Sequence, residues 1–108
     1  KIGGNGKAKR ELMHVNDLAE ACVFFMKKKT KLNYINIGTG KQKSIFEYAK
    51  VISKVLNVKP KYIFDKKKPN GMKTKVLDVS VSKTLGWKSK IDLTSGIEKT
   101  YSFYKENY

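Results

Sequence analysis

The stretch KSIFEYAKVISKVL, residues 43 to 56, restricts the folding of this chain more than any other. Ser44 and Glu47 have the S-x-x-E spacing of a capping box, in which the hydroxyl takes the amide three residues on and the carboxylate reaches back to the first amide. Ile45, Ala49, Ile52 and Leu56 then recur at helical spacing, and Pro60 blocks continuation. The spacing predicts a helix with one apolar face, and that face needs partners.

Several other segments can supply them. Asn16 or Asp17 is expected to cap an earlier helix carrying Leu18, Ala21, Cys22 and Phe25 on one face, ended by Lys27 to Lys29, where cations suit the helix dipole. Asp92 is expected to cap a last helix with Leu93, Ile97, Tyr101 and Tyr104 turned inward. Between these, Ser80 to Leu85 reads as a short helix ended by Gly86 in the left-handed position. Strands are predicted at Glu11 to Val15, at YINIG (residues 34 to 38) and at Tyr62 to Phe64, with a short extended piece at Val76 to Val79. Pro69, Asn70 and Gly71 are turn residues between two lysine-bearing stretches. This order predicts an α/β or α+β fold, a small mixed sheet of short strands with about four helices.

At 108 residues the chain has room for one small domain and no second complete one. No apolar run approaches the roughly 20 residues needed to span a bilayer, and no signal-peptide pattern opens the chain, so a cytoplasmic location without a membrane partner is expected. Lys1 to Lys9 is glycine-rich and lacks a starting methionine, so the chain is expected to begin inside a longer protein. Cys22 has no second cysteine and no ligand cluster beside it and reads as core packing. The formal charge of +15 invites a nucleic-acid reading. Yet lysine supplies almost all of it, spread through every segment, with clusters at Lys27 to Lys29 and Lys66 to Lys68 where elements should end. That pattern reads as a solvated surface, and the aromatics mostly fall at core spacing. The field would still attract a polyanion, a nucleotide-sugar included.

Few residues suggest chemistry. NIGTGKQKS (residues 36 to 44) lacks both complete glycine-rich phosphate patterns and reads as a strand-to-helix turn. His14 has no metal-ligand companion, is expected on a strand, and reads as structural. Arg10 is the only arginine. It stands beside a glycine-bearing loop, where a planar five-donor fork can grip a diphosphate bidentately, a geometry lysine cannot copy. Taken alone, it could equally be structural. Lys75, just past the Pro69–Gly71 turn, is a point-charge companion.

Three motifs, in order, carry a resemblance over almost the whole chain. They are GGNGKAKRELMHVNDLAEA, INIGTG, and KPNG followed by LDVS and LGW. In this order the chain resembles the C-terminal third of the GDP-L-fucose synthases, a branch of the NAD-dependent epimerase/dehydratase family of extended short-chain dehydrogenase/reductases. The resemblance implies the substrate-binding end of a two-domain enzyme that converts GDP-4-keto-6-deoxymannose to GDP-L-fucose by epimerisation and NADPH reduction. NADP is expected in the Rossmann domain of the intact enzyme and not on this chain. No residue here matches the family's catalytic tyrosine and lysine, nor the cysteine and histidine used in epimerisation, so no catalytic residue is expected.

What carries over is the grip on substrate. Arg10 and Lys75 match positions near the diphosphate, and Asn70 stands where K-P-D-G has aspartate, still able to hydrogen-bond a hydroxyl or a turn amide. Gly3 replaces a tryptophan that touches substrate in many members. The expected partners are the GDP-sugar and the Rossmann domain, against whose sheet residues 16 to 38 would pack. A homodimer is expected only of the intact enzyme. Alternatives are a substrate domain for another nucleotide-sugar, a basic nucleic-acid-binding module that would bind oligonucleotide independently of Arg10, and a scaffold without ligand; a nucleic-acid partner is not expected.

Overall fold

The helix begun by Ser44 forms where its sequence places it. In the computed structural model, which describes all 108 residues, the chain runs β1 (Ile2–Gly3), β2 (Lys9–Arg10), α1 (Val15–Lys27), β3 (Lys43–Ser44), α2 (Ile45–Val55), β4 (Phe64–Asp65), α3 (Ser80–Thr84) and α4 (Leu93–Asn107). Ser44 Oγ accepts from the Glu47 amide at 3.1 Å and Glu47 Oε1 accepts from the Ser44 amide at 3.0 Å, so the capping box is closed. Asp92 caps α4 by accepting from the Ser95 amide at 2.8 Å, and Gly86, at φ 104°, follows α3 in the left-handed conformation.

Four helices and two short ladders bear out the expected fold class. Strands β1 and β4 pair in parallel, Ile2 opposite Phe64, and β2 pairs with β3 antiparallel, Lys9 opposite Ser44. Two strand expectations are corrected in position. The ladder expected at Glu11 to Val15 lies at Lys9–Arg10, because His14 starts α1: its Nδ1 accepts from the Asn16 amide at 3.0 Å. His14, not Asn16 or Asp17, is therefore the cap, and it stands at a helix start and not on a strand. The strand expected at Tyr62 to Phe64 lies at Phe64–Asp65, with the Tyr62 hydroxyl donating to Ser53 Oγ at 3.0 Å.

Neither YINIG nor Val76 to Val79 forms a ladder. A strand exists only beside another, and no strand of this chain lies alongside either run. The lysine cluster Lys66 to Lys68 makes the turn after β4, the Lys68 amide donating to Asp65 O at 3.0 Å.

Asp17 joins α1 to the loop before α4. It is 2% exposed, and its carboxylate accepts from the Lys90 amide at 3.1 Å and the Ile91 amide at 3.0 Å. Behind it, Trp87 is 2% exposed and its indole donates to Glu20 Oε1 at 3.2 Å, while Ser82 Oγ donates to Trp87 O. Only 12 of the 108 residues are buried, and the Cα radius of gyration of 16.4 Å exceeds the roughly 13 Å of a compact domain this long. The shape is a slab 19 Å thin.

What is left uncovered is patterned. Val15, Leu18, Ala19, Cys22, Val23 and Met26 lie at i, i+3, i+4, i+7, i+8 and i+11 along α1, and all are exposed. Cys22 is thus not core packing: the buried side of α1 is the one bearing Asp17 and Ala21. Helix α4, at 15 residues, outruns the 11 of α2 by about 6 Å. Leu93 and Ile97 are half-buried, but Tyr104, expected inward, is 60% exposed.

Replacing Asp17 with alanine strands two amides and should destabilise the fold by on the order of 3 kcal/mol in urea unfolding. Asp17→Asn, which keeps a carbonyl acceptor, should cost less; equal effects would mean that packing and not acceptance matters. The amides of Ser95 and Ser44, as the largest cause in each case, hold the Asp92 and Glu47 carboxyls below their ordinary values. Their stabilisation is full above the unfolded pKa of about 4 and lost as pH falls through the lower folded value. The thermal midpoint should hold from neutrality to about pH 5 and drop below about pH 4, and Asp92→Asn should flatten that drop.

Candidate functional site

Arg10 ends β2, and three contacts hold it. The Tyr48 hydroxyl of α2 donates to Arg10 O at 2.7 Å, and burial pushes that phenol above its ordinary pKa. Arg10 Nη1 donates to Lys9 O and to Met72 O, both at 2.7 Å. The Lys9 amide donates to Lys73 O at 2.8 Å, so the loop that follows Gly71 is stitched along β2. Gly71 itself, at φ 72°, comes so close that a side-chain carbon there would lie 3.1 Å from Arg10 Nη2. A glycine is needed here twice over, for the left-handed turn and for room beside the guanidinium.

Stitching this loop places Lys75 and Arg10 on one cleft. Both line a cleft of about 450 Å³ with Glu11, Met13, Ile37, Gly38, Val76 and Leu77. Glu11 forms an ion pair with neither cation. Its Oε1 accepts from the amides of Thr39 and Gly40 at 2.5 and 3.2 Å, and its Oε2 from the Leu77 amide at 3.2 Å. A side-chain carbon at Gly38 would fall on Glu11 Oε1, so glycine leaves the carboxylate its place. Arg10 Nη2 and Nε have no acceptor in the chain, and neither Arg10 nor Lys75 forms an ion pair. The cleft therefore offers two free cationic groups above apolar walls, a setting for an anionic ligand with an apolar or stacking body.

Asn70 lies apart from this pair. Its Oδ1 accepts from the Asn5 amide at 2.7 Å, and it lines a different cavity with Gly4, Asn5, Lys7, Phe64 and Lys66. Of the two bonding roles open to it, the turn amide is the one occupied. Gly3 sits in β1, exposed, with the Lys68 side chain beside it.

A second cavity of about 450 Å³, between α2 and α4, is mostly apolar, with Ile52, Leu56, Ile97 and Tyr104 among its walls. The two titratable groups there other than the tyrosines, His14 and Asp92, both serve as helix caps. It lacks convergent polar groups to orient a ligand.

The GTG turn does not cradle a phosphate, because Glu11 already takes the Thr39 and Gly40 amides. For the same reason the turn does not fit the pyrophosphate of a dinucleotide cofactor. Reading the sequence alone missed Glu11, Tyr48 and Gly71. Glu11 had one signal: it is the only carboxylate among the first 16 residues.

Comparison with known proteins accords with this geometry. Residues 1–38 match the NAD dependent epimerase/dehydratase family. Over 98% of its length the chain is 40% identical to putative GDP-L-fucose synthase 2 of Arabidopsis thaliana, covering 32% of that protein. A GDP-6-OMe-4-keto-L-xylo-heptose reductase from C. jejuni superposes with a TM-score of 0.89 at 32% identity, over 99% of this chain and 34% of that one. A GDP-D-glycero-L-gluco-heptose synthase from Campylobacter jejuni, solved in the presence of NADPH, gives 0.82 at 34% identity, over 96% of this chain and 32% of that one. The chain thus spans about a third of the length of these relatives and matches their C-terminal part. The resemblance read from the three motifs is borne out.

Glu11→Ala should free the GTG turn and the loop at Leu77 together. Amide hydrogen exchange at Thr39, Gly40 and Leu77 should speed up by about tenfold or more, with the middle of α2 unchanged. Unchanged exchange at Leu77 would mean the carboxylate does not join the two segments.

Proposed function

We propose that this chain is the substrate-holding part of an NADP-dependent GDP-sugar epimerase/reductase, with conversion of GDP-4-keto-6-deoxymannose to GDP-L-fucose as the reaction of the intact enzyme. The observation that carries the reading is the Arg10–Lys75 cleft, in which a guanidinium pinned through one nitrogen keeps its remaining donors free. Arg10 would take the diphosphate through its fork and Lys75 through its point charge. Asn70 would act indirectly, by holding the loop after β4 to Asn5.

When bound to the intact enzyme, the nicotinamide cofactor supplies the hydride. The residues of this chain do not fit that cofactor, since the amides of its one glycine-rich turn are taken by Glu11. Their work is to bind and orient the nucleotide. The α1 stripe from Val15 to Met26 and the unpaired run Tyr34 to Gly38 would be covered by the Rossmann domain. Apart from Val15, both lie within the 16 to 38 span for which such packing is expected, and covering them would complete a core that now buries few residues.

Titration calorimetry of the chain with GDP and GDP-mannose tests the reading. Weak saturable binding is expected, falling roughly tenfold or more in Arg10→Lys, because one charge-assisted bond is worth about 1.5–3 kcal/mol. No NADPH oxidation is expected from the chain alone. Binding of single-stranded oligonucleotide that is tighter than GDP, steep in salt and indifferent to Arg10 would sink the proposal in favour of a basic nucleic-acid module.

A further inference from the structure

On the far side of the GTG turn from Arg10 lies a second polar cavity. It holds about 260 Å³ and shares only Gly38 with the Arg10–Lys75 cleft. Lys41, Lys83 and Lys88 line it together with the hydroxyl residues Thr39 and Ser89, and the buried Trp87 is part of its wall. No carboxylate lines it. None of the three lysines forms an ion pair, although Lys41 is near enough to Asp92 to contribute to its lowered pKa. The amides of Lys88 and Ser89 and the Ser89 hydroxyl have no partner in the chain. Trp87 is held by its indole to Glu20 and by its carbonyl to Ser82, so the segment carrying these donors is anchored from behind.

From these observations we infer that the Lys83–Lys88 cavity is a second anion site, taking a small phosphate and not a whole nucleotide. Size favours the smaller ligand. Its 260 Å³ lies below the roughly 300–1,000 Å³ of sites that enclose drug-sized ligands, so it suits a compact anion. Charge decides the sign: three lysines and no carboxylate line this concavity, so it draws an anion. Unpaired amide and hydroxyl donors supply the directed bonds that lysine alone does not. The site stands apart from the GDP-sugar reading and does not depend on it.

The test is a two-dimensional amide NMR titration of the 108-residue chain with inorganic phosphate, and separately with glucose 6-phosphate, at ionic strength held constant with chloride. Saturable shifts centred on Thr39, Lys88 and Ser89 are expected for the free ion. They should weaken at least tenfold in the Lys83→Gln, Lys88→Gln double variant and persist in Arg10→Ala, with the overall spectrum of each variant showing that it folds. Equal binding of glucose 6-phosphate would assign the site to phosphomonoesters, and its failure to bind would assign it to the free ion. Shifts spread over all lysine segments without saturation, or abolished by Arg10→Ala, would overturn the inference.

Discussion

Carboxylates bonded to backbone amides hold this molecule in shape. The chain has nine acidic residues against 24 lysines and arginines, yet its side chains form only two ion pairs, Lys1 with Asp65 and Lys90 with Glu20. Glu11, Asp17, Glu47, Asp78 and Asp92 instead accept from main-chain amides, and Asp65 does so besides its ion pair. Glu47 and Asp92 start helices, while Asp17 and Glu11 join segments far apart in the chain. An amide is a fixed donor, whereas a surface lysine is mobile and well hydrated, so a scarce acceptor does more structural work on the backbone.

This allocation has an electrostatic consequence. With the acids committed to amides, most cations stay unpaired, and the net charge of +15 sets a positive field toward solvent. The field selects no ligand. Selection comes from Arg10, which the same framework positions: Tyr48 holds its carbonyl, Met72 holds one guanidinium nitrogen, and Gly71 leaves space for the other. Glu11, next in sequence, gives its carboxylate to the GTG turn and forms no ion pair with Arg10.

The helices α2, α3 and α4 were legible in the sequence because their signals are local. A capping serine with its glutamate, an aspartate before an apolar run and a glycine after one each act within a single turn. The strands were less legible. YINIG has strand composition, but pairing depends on a neighbour that periodicity cannot supply. Exposure misled at Cys22 and Tyr104 for the same reason: spacing shows which residues share a helix face, not whether anything covers it.

By itself the sequence determined the local elements, the kinship carried by its three motifs and the choice of Arg10 and Lys75 as the cations to watch. Both expectations about Asn70, a hydroxyl or a turn amide, were equally open to it. Tertiary structure alone decided that Lys75 shares a cleft with Arg10 while Asn70 turns to Asn5, and that the GTG amides belong to Glu11 and not to a phosphate. These pairings span 28 to 65 residues of chain. Sequence spacing governs geometry only within a turn or two, and beyond that position follows from which donors and acceptors the folded chain brings together.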